Sequence, residues 1–176
     1  MTENHKYPFQ PLLKYLTELK RLLEDDELCP DYALEKVGLR RLFSQWQQTG
    51  CKRKCSRNSE TVIFFCNNLL ELSMMEPDPT IIWCAPLLNS WCAITSEDYV
   101  RLLGRVSGHP RLREHARIRT SPLLHLSSDR SWARSYNRFY TLGQHDTSMF
   151  FRVISDGLIP SSTNLIEIGE GSPRRH

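Results

Sequence analysis

Leucine spacing near the N-terminus constrains the fold more than any other feature of this chain. From Pro11 onward, Leu12, Leu13, Leu16, Leu19, Leu22 and Leu23 recur at three- and four-residue steps, with charged residues between them. A period near 3.6 puts such side chains on one stripe of an α-helix, which must then find an apolar partner. The spacing predicts an amphipathic helix of about 14 residues, ending in the acidic run 24–27.

The same reasoning continues along the chain. Asp31, after Pro30, reads as the N-cap of a second helix whose stripe is Leu39, Leu42, Phe43 and Trp46, weakened in its middle by Gly38. Ser59 and Glu60 open a third helix through about Met75, apolar on most sides and so expected at the centre of the domain. Pro77 and Pro79 stop it, and the apolar stretch 80–94, with Trp83 and Trp91, follows as core. Ser96 with Glu97 and Asp98 signals a helix running to Gly104 or Ser107, and Pro110 starts a short one over 110–119. Ser128 or Asp129 caps the next, with Trp132, Tyr136, Phe139 and Tyr140 as its buried stripe. Asp146 caps the last, which holds Met149, Phe150, Val153 and Ile154 inside and has Gly157 at C′. Residues 164–169 read as a short strand or extended arm.

The expected fold is therefore all-α, a compact bundle of six to eight helices. It forms one domain over 1–168: a helical hairpin in 1–50, apolar core helices in 58–94 and Arg-rich helices in 96–157, with 169–176 a flexible tail. A chain of 176 residues, 40% apolar and 24% charged, has ordinary globular composition, which excludes collagen-like and disordered classes. No uncharged apolar run approaches a membrane span, and the first twenty residues lack a signal-peptide core. The expectation is an intracellular protein, cytoplasmic or nuclear, with no membrane partner.

Cys29, Cys51, Cys55, Cys66, Cys84 and Cys92 come without a secretory signal, so reduced thiols are expected. Cys51 and Cys55 flank Lys52, Arg53 and Lys54 at a spacing seen in zinc sites, and the neighbouring cations would lower their pKa values. A second pair is missing, so four ligands would need Cys29, Cys66, His109 or His115. Neither a metal nor a cofactor is assigned. A His/Asp/Cys hydrolase has its residue types present, but there is no Gly-x-Ser-x-Gly elbow, phosphate-binding glycine loop or His-Glu-x-x-His. No catalytic residue is assigned from these.

Charge is unevenly distributed. Residues 58–100 contain no Lys or Arg, and there is no Lys beyond Lys54. Residues 101–138 then carry nine Arg against Glu114 and Asp129 alone. Guanidinium offers a planar fork to phosphate or carboxylate and stacks on rings. Such a density is the footprint of nucleic acid or an acidic protein surface, unless the arginines neutralise the acidic segment before them. Arg130, Arg134 and Arg138 fall at four-residue steps and would line one helix face. The candidate binding residues are Arg111, Arg113, Arg117, Arg119, Arg130, Arg134 and Arg138.

The stretch Tyr140-Thr-Leu-Gly-Gln-His145-Asp-Thr147-Ser148, then a short apolar helix and Gly157-Leu158-Ile159-Pro160, resembles the opening motif of ADP-ribosyltransferases, including the RNA 2′-phosphotransferase branch. There a His-Gly-Thr at a strand end precedes a helix and a Gly-Leu, and holds the nicotinamide ribose of NAD. The resemblance covers residues 140–160 and implies ribose contacts by His145 and Thr147. Asp146 stands where that family has glycine, and Glu167 and Glu170 are the only later acids.

The function expected is non-catalytic: a regulatory or interaction protein binding RNA or another polyanion through an Arg-rich helical surface. Its small size and mix of Trp, Cys and Arg suit a virus-encoded accessory protein. The alternatives are an adaptor docking an acidic protein partner and an ADP-ribosyltransferase-like protein using the His145/Thr147 segment. Homo-oligomerisation would repeat the Arg surface and add avidity.

Overall fold

A computed structural model describes residues 9–24, 28–50, 58–96 and 99–168. The chain divides into two compact units, Leu12–Met75 and the flanking segments Met1–Pro11 with Glu76–His176.

The first unit is helical: α1 (Leu13–Leu23), α2 (Pro30–Lys36), α3 (Arg40–Gly50) and α4 (Ser59–Met74). The leucine stripe of α1 is buried at Leu16, Leu19, Leu22 and Leu23. It meets α4, where Cys66 donates its thiol hydrogen to the Leu16 carbonyl at 3.3 Å. Phe43 and Trp46 of α3 pack their rings against Phe65 of α4. Gly38, at φ +72°, divides α2 from α3; it does not lie inside one long helix. Asn58, not Ser59, caps α4 by accepting the Thr61 N–H at 3.0 Å.

The second unit overturns the all-α expectation. After α5 (Pro79–Trp83) come β1 (Leu87–Ser96), β2 (Tyr99–Ser107), β3 (Ala116–Arg119), β4 (Leu123–Leu126), β5 (Trp132–Ser135) and β6 (Phe139–Leu142). The helix α6 (Ser148–Ser155) and β7 (Asn164–Ile166) complete the unit. The chain is thus mixed α/β, and its Arg-rich segment is strand and turn rather than helix. The strands form one seven-stranded sheet in the order β3-β2-β1-β6-β5-β4, with β7 paired to β1. The short strand expected over 164–169 is β7.

Alternation along β2 explains how that sheet folds. Val100, Leu102, Gly104 and Val106 point to one side; Arg101, Leu103 and Arg105 point to the other. Leu102 and Val106 share one buried cluster with Leu88, Trp91 and Ala93 of β1, Leu123 and Leu126 of β4, Ala133 and Tyr140. In a flat sheet β2 and β4 would stand about 19 Å apart, at about 4.8 Å per strand. Their side chains meet because the sheet curls, giving an inner face that is the core. Thr120 extends the β2–β3 pairing by one residue, its N–H donating to the Leu102 carbonyl while its hydroxyl oxygen accepts the Leu102 N–H.

A bulge in β1 between Asn89 and Cys92, with Ser90 at φ +46°, changes the strand's phase. It brings Cys92 and Ile94 onto the outer face, where they and Leu103 pack under Met149, Phe150 and Val153 of α6. Trp91 stays inside at 1% exposure, whereas Trp83, also expected in the core, is 90% exposed on α5. Gly143 permits a close approach beside the bulge: a Cβ there would lie 2.6 Å from Asn89 Oδ1, which accepts the Gln144 N–H.

Candidate functional site

Strand register maps the arginines. Leu103 faces Arg119 and Arg105 faces Arg117 across the β2–β3 pair, so Arg101, Arg105, Arg117 and Arg119 share the outer face of that edge. Arg111 and Arg113 are exposed on the loop between these strands. Arg138, in the β5–β6 turn, lies close to the same loop: burial, then Arg138, then Arg111 hold the His109 imidazole below its usual pKa.

Several of these cations are already engaged. Arg101 is buried and donates to the Thr120 carbonyl at 3.0 Å. Arg117 pairs with Asp156 at 2.6 Å, and Arg119 donates to the Ser96 hydroxyl. Arg130, at φ +56° in the β4–β5 turn, donates to the Ile168 carbonyl, and Arg134 lies over the Phe139 ring at 4.3 Å. Arg130, Arg134 and Arg138 therefore do not form one face of a helix; they occupy a turn, a strand and a second turn. Arg105, Arg111, Arg113 and Arg138 have no carboxylate partner among the described residues. Of the acids in 58–100 that share this unit, Glu76 and Asp78 pair with none of these arginines among the described residues, and Glu97 and Asp98 lie outside them.

A different surface lies at the other side of the outer face. Register places His125, Trp132, Arg134, Phe139 and Thr141 on one side of β4–β6, the side of Leu87 and Ser107. His125 is buried and stacks parallel on Trp132 at 4.6 Å between centroids. Asp129 accepts the Ser131 N–H and hydroxyl, giving the β4–β5 turn the cap that the sequence assigned to a helix. Opposite them α5 begins at Asp78, which accepts the Thr80 N–H. Between α5 and this wall is a cleft of about 620 Å³, within the range of ligand pockets. Ile82, Trp83, Pro77 and Pro79 supply its apolar lining, and Glu76, Asp129, Ser127, Ser128 and Thr141 its polar lining.

A family model matches residues 65–152, half of the chain. The chain belongs to DUF6634, a family of unknown function. Both the arginine edge and the cleft of this DUF6634 chain lie within the matched residues. No curated protein and no solved structure matches it.

In the DUF6634 chain His145 follows β6, and its ring stands edge-on to Trp91 at 4.7 Å. Its Nε2 is buried without a hydrogen bond. Thr147 is exposed at the N-terminus of α6, and neither residue lines the cleft. Glu167 is exposed, while Glu170 and the tail 169–176 lie outside the described residues. Asp146 accepts the Ser148 N–H at 3.0 Å from one position before the helix; the N-cap of α6 is Thr147, whose side chain caps nothing, and not Asp146 as the sequence suggested.

Cys51 and Cys55, with Lys52, Arg53 and Lys54, lie outside the described residues. Among the described residues no group of three His, Cys, Asp or Glu side chains is disposed to hold a metal. No described helix is long and apolar enough to cross a membrane. Burial raises the Cys92 thiol pKa to about 11, which suits packing beneath α6 and not nucleophilic chemistry.

Burial and Arg130 push the His145 pKa below its ordinary 6.5, with Asp146 opposing them. Between the lowered folded value and 6.5 the unfolded chain binds more protons than the folded one. This histidine's contribution is therefore complete above that window and is lost as pH falls through it. Melting temperature should drop on acidification from neutral pH. His145→Gln should flatten that drop, leaving the part due to His109, whose pKa is also lowered. An unchanged profile in the variant would contradict the assignment.

Proposed function

We propose that this protein binds RNA or a related polyanion through the β2–β3 edge, its loop and the adjoining β5–β6 turn. The observation that carries this reading is the set of four guanidinium groups, Arg105, Arg111, Arg113 and Arg138, with no carboxylate partner among the described residues. Left in water, such groups repel one another; phosphates along a strand relieve that repulsion and release counterions. Arg117 and Arg119, on the same outer face, extend the surface. A curled sheet supports it better than a helix would, because strand register fixes Arg105 opposite Arg117.

Fluorescence anisotropy with a single-stranded RNA, titrated at rising salt, tests this reading. Four phosphate contacts on a single strand give a slope of log K against log salt of roughly −3, or about 50-fold weaker binding between 50 and 200 mM salt. Polyglutamate serves as the acidic-protein arm. Tight binding to polyglutamate with none to RNA would assign the surface to an acidic protein partner, and salt-insensitive or absent binding to both would refute the reading.

A further inference from the structure

The cleft beneath α5 has the opposite electrostatic character to the arginine edge. Among the described residues its lining contains two carboxylates, Glu76 and the already engaged Asp129, and no Lys or Arg. An indole forms part of its wall, that of Trp132 backed by His125, and a second indole stands at its rim. That rim residue, Trp83, is 90% exposed on a helix of five residues anchored by Asp78. An exposed tryptophan gains nothing for the fold, and the ring at this position borders a ligand-sized space.

Aromatic faces carry negative quadrupole charge, so indoles beside carboxylates attract a cation and repel a phosphate. Glu76 is exposed, and its carboxylate has no partner among the described residues. The Ser128 hydroxyl supplies a polar contact for the remainder of a ligand, whereas those of Ser127 and Thr141 already donate to the Trp132 and Pro86 carbonyls. From this combination we infer that the cleft between α5 and β4–β6 binds an organic cation, an alkylammonium or guanidinium group held against Trp83 and Trp132 and balanced by Glu76. The site is separate from the arginine edge and does not depend on the polyanion reading.

Calorimetric titration of the full chain with choline, and separately with N-acetyl-arginine amide, tests the inference. The first probe represents a free small-molecule cation and the second a basic side chain of a peptide. 3,3-Dimethylbutanol, the uncharged shape analogue of choline, and AMP, a planar anion, are the controls. At least one cationic probe should saturate the site and neither control should. Trp83→Ala should weaken that probe by about tenfold, and Glu76→Gln should weaken it by a smaller factor. Both residues are exposed, so both variants should fold, and their circular dichroism should match that of the parent. Arg105→Ala/Arg138→Ala should leave cation binding unchanged while lowering RNA binding, so failure at one site is readable apart from failure at the other. The inference is overturned if neither cation saturates, if the uncharged analogue or AMP binds as well as the cations, or if Trp83→Ala binds like the parent.

Discussion

Replacing Trp91 by Ala should destabilise the sheet unit by about 3–5 kcal/mol from lost burial and the cavity left behind. The indole is 1% exposed and belongs to the inner-face cluster with Leu88, Leu102 and Ala133. Its Nε1 donates to the Gly143 carbonyl at 3.1 Å, and its ring supports His145 edge-on. The backbone around it is equally committed, since Trp91 N–H donates to the Gln144 carbonyl and its own carbonyl accepts the Asp146 N–H. Removing the indole therefore leaves a cavity and deprives a carbonyl of its donor, a further cost of about 1–3 kcal/mol if that group stays dry. Domain stabilities run at about 5–15 kcal/mol, so the variant should lose most of its margin. Urea unfolding should show a much lower midpoint. Trp91→Phe, which keeps ring area but not the N–H, should fall between. A midpoint equal to the parent's would contradict the burial assigned to this side chain.

How much of this was legible in the sequence depends on the period that each element obeys. The leucines of α1 sit at steps of three and four with no simple alternation, and that helix lies where the spacing put it. Gly157, in the left-handed conformation just past the C-cap Asp156, likewise marked the end of α6, while its start lies one residue beyond Asp146, at the N-cap Thr147. The Arg-rich segment misleads for an arithmetic reason. A step of four returns to the same side of a helix, and it also returns to the same side of a strand, because four is a multiple of two. Arg130, Arg134 and Arg138, or Trp132, Tyr136 and Tyr140, cannot separate the two conformations by spacing alone. The better signal was strict alternation, which Val100-Arg101-Leu102-Leu103-Gly104-Arg105-Val106 nearly shows and Ala116-Arg117-Ile118-Arg119 shows fully. Residues 87–96 hide it, because the bulge at Asn89–Cys92 shifts the phase and α6 buries the outer face as well.

The candidate sites were legible to different degrees. Counting charge located the cationic region, but only register could show that Arg105 stands opposite Arg117, and only packing that Arg101 on the same face is buried. Arg105 lies in the cationic segment but was not among the seven candidates; its place on the outer face follows from strand register. The cleft left no linear trace: the pairing of β4, β5 and β6 brings His125 and Thr141 to one wall, and the packing of α5 against β6 adds Trp83. Asp129 was read as a helix cap because it can accept an N–H two residues ahead in a hairpin turn as readily as at a helix start; Asp31, also read as a cap, lies inside the first turn of α2, whose N-cap is Cys29.

Removing Arg105 and Arg138 together should cut RNA affinity roughly tenfold near 0.15 M salt, and the slope of log K against log salt should fall from roughly −3 to about −1.4. Both effects come from the same cause: each guanidinium that neutralises a phosphate releases a counterion, and two fewer release events change affinity and slope in a fixed ratio. The variants should fold, because neither guanidinium pairs with a carboxylate among the described residues, and Arg138 contributes to its turn through backbone groups bonded to Ser135. Replacing the same residues by Lys should preserve the slope, since charge is kept, but should lower affinity if the planar fork is used. Arg117→Ala is the informative contrast. Its pairing with Asp156 at 2.6 Å means that RNA must compete with an internal carboxylate, so its loss should change the slope less than loss of Arg105 across the strand pair. Equal slopes in the Arg105→Ala/Arg138→Ala double variant and the parent would show that the unpaired cations are not where a polyanion lies.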